Sequence, residues 1–252
     1  MIKEYNKIGF LSGSTLKILA CILMVIDHVG LAFFPGKIIF RILGRLAFPI
    51  FAFFIAEGTR YSKHKVRRFL TIFAMGIVFL AFYYFYGGVV YGNIFLTFSV
   101  SILLDYFLFA CKKSAFDNPK KIYSVLMFMG FAITLAATYY LFSVIRFEYR
   151  FAGMMLPVLI NLTNFQGIEA DTPLKRLDNH TSRIILALIG LILLSLNGSL
   201  GIIQYCCLFA LVPLAFYNGK VGIKGLKYGF YIFYPAHLII INGIAILLST
   251  IK

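Results

Sequence analysis

The sequence predicts an all-α, polytopic helical membrane protein of about nine transmembrane helices, with the N-terminus inside and the C-terminus outside. Three observations carry this. Hydrophobic residues make up 61% of the 252, against about 45–50% in a soluble domain. Apolar runs near the ~20 residues that a bilayer crossing needs recur along the chain. The basic residues fall in alternate gaps between those runs, as cytoplasmic loops require. The net charge of +15 is therefore a topological signal, and nucleic acid is not expected as a partner. No soluble domain stands out, so residues 1–252 read as one membrane domain, placed in the cell (plasma) membrane.

The runs place helix 1 at about 15–34, helix 2 at 38–58, helix 3 at 67–86, helix 4 at 93–111 and helix 5 at 121–144. Helix 6 follows at about 150–166, helix 7 at 183–197, helix 8 at 200–217 and helix 9 at 229–250. Breakers divide them: Pro35-Gly36, Gly87-Gly88, Asn118-Pro119, Asn197-Gly198 and Asn218-Gly219. With the N-terminus inside, most of the 24 Lys and Arg fall on cytoplasmic segments: Lys3, Lys7 and Lys17, then the clusters at 60–68, 112–121, 175–183 and 220–227. The outer loops around 87–92 and 197–200 carry none. A missed or surplus crossing would break this alternation.

No secretory leader is read in the polar opening MIKEYNKIGF. Cys21, Cys111, Cys206 and Cys207 lack both disulfide-framework and zinc-site spacing, and read as apolar packers. The Asn-x-Ser/Thr triplets at Asn161, Asn179 and Asn197 read as chance in this topology. The polar stretch 167–182 reads as a solvated cytoplasmic loop. No internal repeat or inverted pair of broken helices is seen, which argues against a secondary transporter.

Helix 1 reads LKILACILMVIDHVGLAFFP and holds Asp27 beside His28. Asp within a span costs about 2.5–3.5 kcal/mol on translocon scales. Adjacent helical residues point ~100° apart, so the pair can flank one cavity without sharing a face. One reading makes His28 a general base and Asp27 its orienting carboxylate. The other is structural: a histidine hydrogen-bonded within the bundle, and an aspartate paired with a buried arginine. Arg41 and Arg45 of helix 2 stand at i and i+4, on one face and at a depth matching Asp27. They would form such a pair or serve a substrate. Pro49 is expected to kink helix 2, and Glu57 to pair with Arg60.

The run RYSKHKVRRF contains Arg60, Lys63, Lys65, Arg67 and Arg68. Topological anchoring and binding of anionic lipid headgroups would account for it; a phosphate-rich ligand would use the same residues with Lys17. His64 is expected to be solvated. In helix 4, Asn93 reads as a cap and Thr97 as a back-bonding residue, or both as a polar stripe. Asp105 is a further buried acid without a partner in its own helix. In helix 9, Tyr231, Tyr234 and His237 share a face beside Pro235, which implies a kink. No metal-ligand spacing or phosphate loop stands out, and no metal is expected.

Four stretches resemble the TraX family, named for a membrane protein of conjugative plasmids that acetylates the N-terminus of pilin. They are LKILACILMVIDHVG (16–30), GRLAFPIFAFFIAEGTRYS (44–62), NIFLTFSVSILL (93–104) and YGFYIFYPAHLIII (228–241). The stretch 115–200 carries none of the likeness. TraX proteins in turn look like distant relatives of wider membrane acyltransferases, which carry a first-helix His with a basic residue about three turns before it. His28 and Lys17 occupy those places here. The resemblance implies acyl transfer from acetyl-CoA, with His28 as base or acyl relay, and with Lys17 and the 60–68 cluster binding coenzyme A phosphates. Arg41, Arg45, Glu57, Asn93, Thr97, Asp105, Tyr231, Tyr234 and His237 are candidates for the acceptor side. The expected partners are membrane lipids, coenzyme A and a peptide or small-molecule acceptor. Two other classes compete: a proton-coupled transporter or flippase using Asp27, His28, Asp105 and His237, and a non-catalytic membrane assembly factor.

Overall fold

A computed structural model describes residues 8–88, 90–117, 121–198, 201–223 and 225–250, apart from the side chains of residues 86, 87, 227, 228 and 231. Lys3, Lys7, Lys120, Lys224, Lys252, the Asn118-Pro119 breaker and the side chain of Tyr231 thus lie outside the described residues. The fold is helical. Its elements are α1 (Gly13–Phe33), α2 (Ile38–Gly44), α3 (Ala47–Tyr61), α4 (Lys65–Gly87), α5 (Ile94–Asp117), α6 (Lys121–Val144), α7 (Arg150–Ile160), α8 (His180–Leu196), α9 (Leu211–Ala215) and α10 (Leu226–Thr250). Two-residue strands β1 (Tyr91–Gly92) and β2 (Arg146–Phe147) pair in parallel.

Among the described residues, six helical stretches are long and apolar enough to cross a membrane: α1, α2 with α3, α4, α5, α6 and the Ile232–Thr250 part of α10. Many large apolar side chains on them face outward, such as Val125, Phe128 and Ile133 of α6. An outward apolar face is what hydrocarbon surroundings favour. The other three expected crossings are shorter. Helix α7 stops at Ile160, where the Asn161 side chain turns away to bond other helices. Helix α8 has 17 residues. Residues Gly201–Ala210 form a 3₁₀ helix that runs into α9.

Helix 2 does not kink at Pro49. The break comes earlier, at Arg45-Leu46, between α2 and α3. Pro49 is the third residue of α3, where a backbone N–H has no helical acceptor to lose. The three asparagines of the glycosylation-like triplets all stand at helix ends. Asn161 and Asn197 follow the last turns of α7 and α8, and Asn179 caps α8 by accepting from the Ser182 amide at 2.9 Å.

The chain divides into two compact units, residues 1–51 with 198–252, and residues 52–197; the division falls within α3. In the first unit, Ser12 caps α1 by accepting from the Thr15 amide. The backbone just there is tied to the segment before α10: Leu11 N–H donates to the Phe216 carbonyl, Gly13 to Lys220 and Ser14 to Val221, at 2.8–3.0 Å. Helices α1 and α2 pack closely through two glycines. A Cβ on Gly30 would stand 2.2 Å from the Phe40 Cβ, and one on Gly44 would stand 2.3 Å from the Asp27 carboxyl carbon.

In the second unit, α5 is the central helix, packed on α4, α6 and α7. Leu104, Met154 and Val158 form its core. The polar stretch after α7 is folded, with the Asp117 carboxylate accepting from the Glu169 and Ala170 amides at 2.9 Å. All four cysteines are free thiols.

The glycine contacts give a direct test. Gly44→Ala should lower the unfolding free energy by about 1–3 kcal/mol through overpacking. Gly36→Ala meets nothing within 4 Å and should leave it unchanged. Denaturant unfolding in detergent reads both.

Candidate functional site

Asp27 and His28 turn from α1 to different partners, as their ~100° separation allows. Asp27 is buried and faces α2. Arg41 Nη1 donates to its Oδ1 at 2.9 Å, and Arg45 Nη2 to its Oδ2 at 3.1 Å. The i, i+4 spacing brings both guanidiniums to one carboxylate, and Gly44 between them leaves room for it. The cluster holds two cations and one anion, a net positive centre. The arginine–aspartate pair expected from the sequence is therefore present. The expectation that Asp27 orients His28 is not met, because both carboxylate oxygens serve arginines.

The partner of His28 is His237, from α10. Nδ1 of His28 lies 3.0 Å from Nε2 of His237. Nδ1 of His237 lies 2.9 Å from the Phe233 carbonyl. These contacts assign the protons. A carbonyl can only accept, so His237 carries its proton on Nδ1. Its Nε2 then accepts, and His28 Nδ1 donates. In the neutral pair the lone pair of His28 is left on Nε2. Phe233 stacks on His237 with ring centroids 4.9 Å apart, and Tyr234 meets it edge-on at 5.6 Å. Helix α10 passes through Pro235 as one continuous helix.

The second unit has its own polar centre. Glu57 pairs with Arg183 of α8, not with Arg60; the side chains are almost fully buried. Arg60 instead pairs with Asp178 at 2.6 Å. Asp105, expected to lack a partner within α5, accepts from the Thr59 hydroxyl and the Asn161 amide. Lys112 donates to the carbonyls of Asn161, Leu162 and Asn164 at 3.2, 3.1 and 2.8 Å, neutralising the C-terminal end of α7. Sequence reasoning did not single out Thr59, Lys112, Asn161, Asp178 or Arg183 as site residues. Arg183 had a usable signal, a charge opening the apolar run IILALIG. Asn161 had none, since its partner Ala56 lies 105 residues away.

The basic run 60–68 does not act as one patch. Arg60 is committed to Asp178, and Arg68 lies against Gly58, with Nη2 toward the Phe54 and Ile55 carbonyls. Lys63, His64, Lys65 and Arg67 are exposed. Lys65 lies over the Phe109 ring at 4.7 Å. In the first unit, Lys17 lies over Phe230 at 5.7 Å. Asn93 does structural work. It accepts from the Phe95 and Leu96 amides and donates to the Gly76 carbonyl at 2.8 Å. Thr97 Oγ1 is 3.3 Å from the carbonyls of Asn93 and Glu148.

The carboxylate clamp makes unequal demands on its members. Asp27→Asn leaves two guanidiniums sharing no anion and should cost about 3–5 kcal/mol. Arg41→Leu should cost least, because Arg41 is 23% exposed against 8% for Arg45 and Arg45 still holds the carboxylate. Thermal unfolding of these two variants and of Arg45→Leu in detergent ranks them.

The family described as TraX protein matches residues 12–245, from the start of α1 almost to the end of α10 and through the 115–200 stretch. "Uncharacterized protein RP591" of Rickettsia prowazekii (strain Madrid E) is 46% identical over 67 residues, 27% of this chain and 26% of that protein. "Probable fimbrial assembly protein FimC, serogroup H1" of Dichelobacter nodosus is 25% identical over 252 residues, 90% of this chain and 93% of that protein. The matched stretch thus spans about a quarter of the first relative and nearly all of the second. No solved structure matches. The match over nearly the whole length, with the IDHVG and LGR segments forming the carboxylate clamp, makes this chain a member of the TraX family.

Proposed function

We propose that the protein is a membrane-embedded acyltransferase. It moves an acetyl group from acetyl-CoA to an amine or hydroxyl of a membrane-associated peptide or small molecule. The observation that carries this is the relay from the Phe233 carbonyl through His237 to His28, which leaves a nitrogen lone pair on His28. In the reaction, His28 Nε2 takes the proton of the acceptor amine or hydroxyl as that group attacks the thioester carbonyl. The new C–N or C–O bond forms, and the carbonyl oxygen becomes an oxyanion. Collapse breaks the C–S bond, and the coenzyme A thiolate takes the proton back from His28. His237 disperses the imidazolium charge in between. The net positive Asp27–Arg41–Arg45 cluster next to His28 favours the oxyanion.

Lys17 is eleven residues before His28 on α1, about 16 Å at 1.5 Å per residue. We assign it to a coenzyme A phosphate, with the pantetheine arm covering that span. In the second unit, the exposed Lys63, Lys65 and Arg67 are assigned to anionic lipid headgroups; Arg60 and Arg68 are not, because their guanidiniums are engaged inside the fold. The topology we propose keeps nine crossings in the plasma membrane, N-terminus inside, with α7, α8 and residues 201–215 as short crossings accommodated by local thinning. The printed role of the Dichelobacter relative in fimbrial assembly favours a pilin-type peptide as the acceptor. It also favours a second reading, a membrane assembly factor without catalysis.

Three measurements separate these. Coenzyme A at a hundred times its dissociation constant should stabilise the detergent-purified protein by about 2.7 kcal/mol. His28→Ala should lower acetyl transfer about 10²- to 10⁴-fold, and His237→Ala by less, with the fold of both variants retained. Because the base must be neutral, activity should rise with pH and level off above the imidazole titration. No shift with coenzyme A, together with full biological function of His28→Ala, would leave the assembly reading standing.

A further inference from the structure

One acid of the second unit sits among contacts that need more hydrogens than its neighbours supply. Asp105 of α5 is 5% exposed and lies inside a membrane-crossing stretch. Its Oδ2 meets the Thr59 hydroxyl of α3 and the side-chain nitrogen of Asn161, just past α7. Those two groups stand 2.8 Å apart, and each reaches the Ala56 carbonyl of α3 at 2.9 Å. Ala56 can only accept, so Asn161 turns its nitrogen, not its oxygen, toward it. Thr59 then has two oxygen neighbours, Ala56 and Asp105, and one hydrogen. If an ionised Asp105 takes that hydrogen, the contact between Thr59 and Ala56 has none. If Asp105 is protonated, it serves Thr59 and Thr59 serves Ala56, so both oxygen pairs hold a hydrogen.

The surrounding charges agree. Among the described residues, no cation pairs with Asp105. Glu57 and Arg60 of α3 are paired with Arg183 of α8 and with Asp178. Arg68 of α4 faces the Phe54 and Ile55 carbonyls, and Lys65 lies over Phe109. Lys112, two turns further along α5, donates to the carbonyls of Asn161, Leu162 and Asn164. Tyr106 donates to the Lys65 carbonyl, and His180 of α8 stands edge-on to Phe53. Lys121, opening α6, and Arg150, opening α7, are exposed. A buried carboxyl with only neutral donors is costly as an anion and is held neutral instead.

We propose that Asp105 carries a proton at neutral pH and donates that hydrogen to Thr59, so that one bound proton locks α3, α5 and the end of α7 together. The Thr59–Asp105 bond then runs from the acid to the hydroxyl. Loss of the proton puts an unpaired charge at the junction and loosens it. The lock lies wholly in the second unit and does not rest on the acyl-transfer reading.

The test is infrared spectroscopy of the full chain in lipid nanodiscs. A neutral carboxyl shows a carbonyl stretch above the amide band, and a carboxylate does not. Such a band should be present at neutral pH, shift in D₂O and on ¹³C labelling of the aspartate carboxyls, and vanish in Asp105→Asn. The new amide keeps a donor toward Thr59, so that variant should fold. Should it not, Thr59→Ala removes the oxygen that the proton faces and should raise the frequency of the band. On raising the pH the band should go. The 159–164 amides should then exchange hydrogen several-fold faster than hydroxide catalysis alone accounts for. No band at neutral pH overturns the proposal, as does a band unchanged in both variants. So does a band that persists wherever the fold survives, or one whose loss leaves exchange at the rate of hydroxide catalysis.

Discussion

A carboxylate held by two guanidiniums at membrane depth is the constraint on which the first unit depends. Asp27 alone would be costly there, and so would Arg41 or Arg45 alone. Together they tolerate burial, but only if α1 and α2 approach closely. Gly30 against Phe40 and Gly44 against the carboxylate make that approach possible. Once Asp27 is committed to α2, the helical twist sends His28 the other way, toward α10. The orientation of the histidine pair is thus fixed by an ion cluster that does not touch it.

The two units solve the problem of buried charge differently. The first leaves an excess positive charge beside two imidazoles. The second matches Glu57 with Arg183 and Arg60 with Asp178, and gives Asp105 neutral donors from Thr59 and Asn161. These pairs tie α3 to α8 and to the segment just before it. The acyl transfer we propose uses the first unit, where the positive charge stands beside a nitrogen lone pair.

The sequence made local relations legible and distant ones hardly at all. The i, i+4 spacing of Arg41 and Arg45 and their depth were enough to match them to Asp27. That His237 would meet His28 could not be read, because 209 residues separate them; each was visible only as an ionisable group inside an apolar run. Local reasoning misled at Glu57, where Arg60 was the nearest cation in the chain but Arg183, 126 residues away, won the contact. It misled again at Pro49, whose effect depends on its position within the helix, and the helix begins at Ala47. Helix existence followed from apolar runs. Helix length did not, because α7 ends where Asn161 finds partners on other helices.

The backbone bonds joining residues 11–14 to 216–221 moor α1 and the approach to α10 at one shared pivot. His28 stands about 21 Å from Ser14 along the helix axis. With that lever arm, a swing of about 3° moves the imidazole by roughly 1 Å, enough to make or part its contact with His237. A displacement of the short 216–223 turn, at the far end of both helices, would therefore be magnified at the two rings.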